Sequence, residues 1–147
     1  MKRALAVLGI IAFMTAGLVA CQPSPVGPGI KISDAWGRPS PLEEGNAAVY
    51  MLIRNTGSED DRLIGASSEA AEVVELHDMT MENDVMKMFQ VESMELPAGG
   101  SLELKPGGKH IMFIHLREMF EVGQKVRLVL EFEKVGKISV EAEIREE

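Results

Sequence analysis

Residues 126–144, with the sequence VRLVLEFEKVGKISVEAEI, predict a β-hairpin near the end of the chain. Apolar side chains occupy alternate positions on both sides of Gly136: Val126, Leu128, Leu130, Phe132, Ile138, Val140, Ala142 and Ile144. A period of two is the pattern of a strand that buries one face, and glycine favours the turn between two such strands. We therefore expect two neighbouring strands that contribute one apolar face to a core.

Shorter apolar runs extend this strand pattern over the preceding hundred or so residues. The further candidates are Ile30–Trp36, Ala47–Arg54, Leu63–Ser67, Val73–His77, Val85–Val91, Ser101–Leu104 and Ile111–Leu116. Turn-forming segments separate them, and no long helical periodicity competes. About nine short strands in one domain predict an all-β fold, either an antiparallel β-sandwich or a Greek-key barrel.

The N-terminal segment is typical of a secretion signal. Met1-Lys2-Arg3 is a positive start, and the apolar run at 4–18 is too short for a comfortable membrane span. The segment Leu18-Val19-Ala20-Cys21 resembles the bacterial lipobox, which predicts cleavage after residue 20 and lipidation of Cys21. The alternative is an ordinary cleaved signal peptide with an unrelated cysteine close to the cut.

Three parts follow from this interpretation. Residues 1–20 are a lipoprotein signal peptide, residues 21–29 are a lipidated cysteine with a Pro/Gly-rich spacer, and residues 30–147 are one globular domain. We expect an extracytoplasmic lipoprotein held on a bacterial membrane, in the periplasm or at the cell surface, by a lipid in the bilayer.

Composition limits the function classes. The chain has a formal net charge of −8, and removal of Lys2 and Arg3 makes it −10, which excludes a basic nucleic-acid-binding face. Cys21 is the only cysteine, so a lipidated mature chain has no free thiol for a metal site.

Histidine and methionine cluster in the second half of the chain. Residues 77–112 contain six methionines, and two of the three histidines, His77 and His110, lie close to the ends of this window. Thioether sulfur binds Cu(I) well and hard cations poorly, while imidazole suits copper. The pattern therefore predicts a Cu(I) site formed by His77, Met88, His110 and Met112.

Strand geometry supports this ligand set. His110 and Met112 are two residues apart on one predicted strand, so both side chains point to the same face. A turn around Asn83 would fold the strand that carries Met88 back onto the strand that ends at His77, which makes these two residues possible neighbours.

The spacing of these four residues resembles the signature of the periplasmic copper chaperones called PCuAC. Ten residues separate His77 from Met88, twenty-one separate Met88 from His110, and one separates His110 from Met112. Flanking segments also resemble that family: Asp34-Ala35-Trp36, Ala48-Val49-Tyr50, Asn55-Thr56-Gly57, Val74-Glu75-Leu76-His77, Pro97-Ala98-Gly99-Gly100 and Leu104-Lys105-Pro106-Gly107-Gly108.

The resemblance implies a cupredoxin-like β-sandwich that carries one Cu(I) per chain. It further implies delivery to an acceptor such as the copper subunit of a cytochrome oxidase, with a thiol-based copper-assembly protein as a possible second partner. Some relatives carry a C-terminal tail rich in histidine and methionine with a second site, whereas this chain ends at Glu147, so one site is expected.

Three other function classes are alternatives to copper delivery. The first is a copper-sequestering lipoprotein for copper tolerance, which remains the alternative. A blue-copper electron carrier needs a cysteine thiolate beside two histidines, which the domain lacks. The sequence also has no HExxH motif, nucleophile elbow or paired-carboxylate constellation, so an enzyme is not expected.

The remaining histidine and methionines have more ordinary interpretations. Met86 and Met94 are expected to be packing residues. Met79 and Met81 are either auxiliary metal ligands or exposed turn residues. His115 is expected to face away from His110, as a surface or half-buried structural residue. For Glu75, Asp78 and Glu82 a solvated strand end is the default, with orientation of the His77 ring as the alternative.

Overall fold

A computed structural model describes residues 26–27, 29–40 and 45–147 of the chain. The predicted signal peptide, the lipidation site Cys21 and most of the predicted spacer lie outside these residues. Within the described ranges, no helix is long and apolar enough to cross a membrane.

The described residues form eleven strands. They are β1 (Val26–Gly27), β2 (Ile30–Gly37), β3 (Ala47–Asn55), β4 (Asp61–Ser67), β5 (Ala71–Glu82), β6 (Val85–Gln90), β7 (Met94–Leu96), β8 (Ser101–Leu104), β9 (His110–Leu116), β10 (Lys125–Phe132) and β11 (Gly136–Ile144). The all-β prediction is confirmed. β5 is longer than its pattern indicated, and the three-residue β7 was missed because so short a strand shows no alternation.

Hydrogen bonds join the strands into one open sheet that folds over on itself. The order is β6-β5-β9-β3-β2-β11-β10-β4-β7, with β1 added to β2 and β8 added to β3. Strands that are distant in this order also lie close together: β4 contacts β5, and β7 contacts β8, which is attached to β3. The folded sheet therefore encloses a core between two layers.

The core is built by the alternation seen in the sequence. In β10, Val126, Leu128 and Leu130 are buried, while Arg127 between them is exposed. The same pattern holds in β11, which pairs with β10 in antiparallel register from Lys125↔Glu143 to Phe132↔Gly136. The predicted C-terminal hairpin is confirmed, and its apolar face is the largest continuous part of the core taken from one hairpin.

One strand pair departs from the predicted antiparallel arrangement. β11 pairs with β2 in parallel, at Glu143↔Trp36 and Ile144↔Gly37. A Cβ atom at Gly37 would lie 2.9 Å from Cδ1 of Ile144 and 3.3 Å from Cγ2 of Val49. A larger residue at position 37 would therefore require the Ile144 and Val49 side chains to shift.

The hairpin formed by β5 and β6 carries four of the ten methionines. Asn83 and Asp84 form its turn with positive φ angles of 51° and 60°. Positive φ at both central residues is the geometry of a type I′ turn, which matches the twist of the flanking strands and is favoured by Asn and Asp. The predicted turn around Asn83 is therefore confirmed.

Candidate metal centre

Strand register places the four predicted ligands on one face of the sheet. β5 lies between β6 and β9, and His77 is directly opposite His110 on β9. Met112 is opposite Glu75. On the other side of β5, Met88 is opposite Met79. Because directly opposed residues share a face and alternate residues of a strand share a face, His77, Met88, His110 and Met112 all project from the same side.

His77 is the common neighbour of the other three candidates. Its ring centroid lies 5.7 Å from that of His110. Met88 and Met112 each lie one rung away on a neighbouring strand, so both are diagonal neighbours of His77. Diagonal neighbours are about 7–8 Å apart, which long side chains span. The candidate centre is therefore built around His77, with one methionine on each side along the strand direction.

One nitrogen of each histidine ring is already used in a hydrogen bond. Nδ1 of His110 lies 2.8 Å from the carbonyl oxygen of Gly108. Nε2 of His77 lies 2.8 Å from Oε2 of Glu75. A carbonyl and a carboxylate can only accept, so the ring nitrogens donate. In the neutral rings, the lone pairs therefore belong to Nε2 of His110 and Nδ1 of His77.

These two lone-pair nitrogens are buried. Among the residues that the structure describes, neither Nδ1 of His77 nor Nε2 of His110 has a hydrogen-bond partner. Buried polar atoms are nearly always satisfied, because leaving one unpaired costs about 1–3 kcal/mol. Two such atoms on adjacent rings, each with its tautomer fixed from the other side, are arranged as metal-ligating histidines usually are.

Burial decreases from the histidines toward β6. His110 is only 2% exposed, and Met112 is half-buried. Met88 is 44% exposed, on a strand whose residues are all exposed. The candidate centre is thus closed on its β9 side and open to solvent on its β6 side.

An aromatic wall extends the same face beyond His110. Tyr50 on β3 has its ring centroid 6.3 Å from that of His110, and Trp36 on β2 lies 4.8 Å beyond Tyr50. Burial raises the pKa of the Tyr50 phenol, Arg38 opposes this and Glu147 adds to it. The wall is therefore neutral at ordinary pH. The sequence did not indicate that Trp36 and Tyr50 lie beside His110, since two strand pairings separate Trp36 from His110.

Glu75 and Gly108 orient the two histidine rings. Glu75 holds the His77 ring, so the default of a solvated strand end is wrong for Glu75. Gly108 was missed, although it stands two residues before His110 in the predicted glycine turn. Asp78 and Glu82 pair instead with Lys109 and Lys87, respectively, so neither orients His77.

The other methionines separate into two groups. Met94 is 1% exposed and belongs to the core, as expected. Met86 is 45% exposed, so its interpretation as a packing residue is wrong. It lies opposite Met81 on the β5–β6 hairpin and therefore on the same face as His77. Met81 is 63% exposed, and Met79 is half-buried.

His115 lies apart from the candidate centre. Its side chain is 59% exposed, and Nδ1 lies 3.3 Å from Oε2 of Glu72. The backbone φ of 53° distorts β9 at this residue. Of the two predicted alternatives, a surface residue or a half-buried one, His115 is therefore the surface residue.

The donor set favours a soft ion. In the described part of the chain, no three His, Cys, Asp or Glu side chains form a group that could hold a metal. The side-chain donors that register places beside the two histidines on this face include the thioethers of Met88 and Met112. Thioether and imidazole donors are neutral and favour Cu(I) over Mg²⁺, Ca²⁺ or Mn²⁺.

Comparisons with known proteins show which family and which relatives this chain is similar to. The family model described as "Putative lipoprotein LpqE-like" matches residues 30–144. A protein of Leifsonia xyli subsp. xyli named "Putative lipoprotein Lxx21020" is 33% identical over 132 residues, which are 83% of this chain and 78% of that protein.

Solved structures show the same fold. The copper-bound PCuAC domain from PmoF2 is 31% identical, with a TM-score of 0.67 over 81% of this chain and 94% of that domain. The solution structure of CuI-DR1885 from Deinococcus radiodurans is 24% identical, with a TM-score of 0.55 over 78% of each chain. The second similarity shows the fold alone, and together they confirm the predicted β-sandwich.

Proposed function

This chain belongs to the LpqE-like family, and residues 30–144 form a PCuAC-type domain, as the sequence resemblance predicted; from this membership we propose that the chain carries one Cu(I) ion outside the cytoplasm. The ligands in this proposal are His77, Met88, His110 and Met112. The copper-bound state of the related domain from PmoF2 supports the choice of metal.

The observation that carries the proposal is the pair of buried, unpartnered nitrogens. Nδ1 of His77 and Nε2 of His110 belong to opposed rings 5.7 Å apart, and protein atoms in the described ranges leave both without a partner. Binding a metal satisfies both atoms at once. The other nitrogen of each ring stays bonded to Glu75 or Gly108, so the rings need no reorientation when the ion arrives.

Each methionine adds a different property to the site. Met112 lies beside the histidines on β9 and gives a half-buried sulfur donor. Met88 lies on the exposed strand β6, which among the strands that the structure describes pairs only with β5. A weakly held thioether on a solvent-facing strand is the ligand that an acceptor can displace first. Exposure of Met88 therefore favours delivery over permanent sequestration.

The role is a carrier and not a catalyst. Neutral donors add no negative charge to the ion, so the site favours the monovalent state and exchanges its ligands readily. We propose that the ion passes to an acceptor through an intermediate in which both proteins contribute ligands. A copper subunit of a cytochrome oxidase is the proposed acceptor, and a thiol-based copper-assembly protein is the proposed second partner.

Location follows from the N-terminal sequence and the relatives. The Leifsonia relative is named a lipoprotein, as is the family. We propose that residues 1–20 are removed, that Cys21 carries the lipid, and that the domain at 30–147 is tethered to the membrane through the spacer at 21–29. Mass spectrometry of the membrane-extracted chain tests this, because a lipidated N-terminus at Cys21 adds acyl mass to a chain that lacks residues 1–20.

Anaerobic competition for Cu(I) with a coloured chelator tests the binding proposal. The chain is purified in detergent and compared with His110→Ala and with His115→Ala, a control at the exposed histidine. We expect one tight equivalent in the parent and in His115→Ala. For His110→Ala we expect an affinity loss above about 100-fold, since even residues that only orient a ligand contribute about 10–100-fold. Equal affinity in all three proteins would contradict the proposal.

A transfer experiment separates delivery from sequestration. The copper-loaded chain is mixed with a copper-free soluble fragment of an oxidase copper subunit, and the metal content of each protein is measured after separation. Movement of copper into the acceptor faster than dissociation into chelator-free buffer supports delivery. Retention of the ion by this chain would favour the sequestering alternative.

A further inference from the structure

The β5–β6 hairpin continues past the body of the sheet. Pairing between β5 and β9 stops at His77↔His110, whereas pairing between β5 and β6 continues to Glu82↔Val85. Residues 78–89, called the arm below, are therefore a two-stranded ribbon beyond the last pairing to β9. β6 is the edge strand of the sheet, so the arm has β5 as its only partner strand in the described topology.

Every strand position of the arm on the His77 face is a methionine. Met79 is directly opposite Met88, and Met81 is directly opposite Met86. The alternate positions place Asp78, Thr80, Glu82, Val85, Lys87 and Phe89 on the other face. The ion pair between Glu82 and Lys87 is also on that other face. The methionine face therefore presents four neutral sulfur atoms and no charged strand residue.

These methionines do not serve the core. Met81, Met86 and Met88 are 63%, 45% and 44% exposed, and none belongs to the apolar cluster between the two layers. Each exposed apolar side chain forgoes the burial free energy that a core position provides, about 1.5–3 kcal/mol for a whole side chain. An uninterrupted run of thioethers without a packing role is the feature that needs a ligand.

We propose that Met81 and Met86 form an outer Cu(I) site at the tip of the arm, and that Met79 and Met88 pass the ion from there to His77. This inference rests on the proposed Cu(I)-carrying function and adds the route by which the ion enters and leaves. Directly opposed Cβ atoms are about 4.5–5.5 Å apart, which lets two thioethers converge on one small ion.

The rungs of the arm are spaced for stepwise ligand exchange. Two residues of a strand span about 6.5–7 Å, which separates the pair Met81/Met86 from Met79/Met88, and that pair from His77. Methionine side chains are long and flexible enough to bridge such a gap. Between methionines one copper–sulfur bond forms as another breaks, and at His77 a copper–nitrogen bond forms as a copper–sulfur bond breaks. Copper remains monovalent throughout, so no oxidant or reductant is involved.

The test compares leucine variants of exposed methionines in the chain purified in detergent. Met81→Leu with Met86→Leu removes both outer sulfur atoms but keeps size and apolarity, a change that folded proteins tolerate well. Met119→Leu is the matched control, because Met119 is 42% exposed but lies between β9 and β10, away from the arm. Cu(I) is added anaerobically, with Ag(I) as a redox-inert second probe.

Two measurements report on the outer site. The ¹³C-methyl signals of methionine show which sulfur atoms meet the metal, and stopped-flow spectroscopy shows how fast the protein takes Cu(I) from a coloured chelator. In the parent we expect the first equivalent to shift the Met112 signal, and a second, weaker equivalent to shift the signals of Met81 and Met86. In the double variant the second equivalent disappears and capture slows by about tenfold or more, because two soft donors are lost.

Several outcomes would overturn the inference. Unchanged capture in the double variant, or equal slowing in Met119→Leu, excludes an outer site on the arm. Normal capture from the chelator combined with slow transfer to a protein acceptor would make the arm a protein-contact surface instead. A parent that binds one ion while the Met81 and Met86 methyls never shift refutes only this inference, whereas a parent that binds no ion refutes the proposed function as well.

Discussion

The two long hairpins of this domain use their apolar residues in opposite ways. β10 and β11 alternate buried aliphatic side chains with exposed polar ones, and their buried face is almost inaccessible to solvent. β5 and β6 end in an arm whose apolar face consists of methionine and remains exposed. Local geometry is the same in both hairpins, since each is a regular antiparallel pair closed by a short turn.

Neighbours explain the difference. β10 lies between β11 and β4, whereas β6 has a partner strand on one side only within the described part of the chain. Asp61 also ties the β10–β11 turn to β4, accepting hydrogen bonds from the backbone N–H of Lys134 at 2.9 Å and Val135 at 3.1 Å. The first hairpin is therefore paired on both sides and buried on one face, while the β6 strand of the second hairpin is exposed to solvent.

The largest expected effect is on the buried hairpin. Leu128→Ala removes a fully buried side chain from β10, which should lower the free energy of unfolding by about 2–5 kcal/mol. Met86→Ala in the arm should change it by less than about 0.5 kcal/mol, since surface substitutions usually do. Urea unfolding followed by circular dichroism measures both. Similar losses would mean that the two hairpins do not differ as the burial pattern indicates.

The tie between Asp61 and the hairpin turn predicts a dependence on pH. Burial acts to raise the pKa of Asp61, but hydrogen bonds from the backbone N–H groups of Lys134, Arg62 and Val135 and the charge of Lys134 outweigh it, so the pKa is lowered. Because the pKa of Asp61 is lower in the folded state than its unfolded value of about 3.8, ionised Asp61 stabilises the fold at pH values above about 3.8. This stabilisation is lost as the pH falls through the lower folded value.

Asp61→Asn tests this contribution. We expect a loss of about 1–3 kcal/mol at pH 7, because the bonds that Arg62 and Lys134 donate to Oδ1 lose their charge assistance and the NH₂ group that replaces Oδ2 cannot accept from Val135. The difference between variant and parent should shrink as the pH is lowered below the ordinary aspartate range. Thermal unfolding between pH 7 and pH 2 measures it. A difference that is constant over this range would show that the charge of Asp61 contributes nothing.

The hydrogen bond between Glu75 and His77 is expected to affect Cu(I) affinity. Glu75→Gln keeps the shape of the side chain but removes the charge that holds the ring, and should lower Cu(I) affinity by about 10–100-fold. Glu82→Gln is the matched control, since Glu82 lies on the other face of the arm with Lys87. Chelator competition measures the affinity of both. Equal loss in both variants would point to a general effect of negative charge.

The smallest change in stability is expected at Met88. Met88→Leu retains an apolar side chain at an exposed position, so the free energy of unfolding should change by no more than about 0.5 kcal/mol. Cu(I) affinity should nevertheless fall measurably, because a sulfur ligand is lost. The same urea and chelator measurements apply. A fall in stability without a change in affinity would make Met88 a packing residue.

Periodicity in the sequence was sufficient to predict most of the sheet and part of the site. The alternation in β10 and β11 predicted their hairpin, and the spacing of His110 and Met112 predicted that they share a face. Asn83 and Asp84 indicated the turn that returns β6 to β5. Each of these features depends on residues close together in the chain.

Features that depend on distant pairings could not be predicted in the same way. The opposition of His77 and His110 is set by the register of β5 with β9, and the contact of Tyr50 with His110 is set by β3. Met86 was misinterpreted because exposure at an edge strand depends on which strands are neighbours. The carbonyl oxygen of Gly108 leaves no mark in a sequence, since every residue has one.

The most direct test of the central claim is a long-range ¹H–¹⁵N correlation spectrum of the histidine side chains, recorded before and after one equivalent of Cu(I). Without metal, His77 should carry its proton on Nε2 and His110 on Nδ1, as their bonds to Glu75 and Gly108 require. Cu(I) should then shift Nδ1 of His77 and Nε2 of His110, and should leave both nitrogens of His115 unchanged. Binding that shifts neither of the two buried nitrogens, or that shifts His115 instead, would contradict the account.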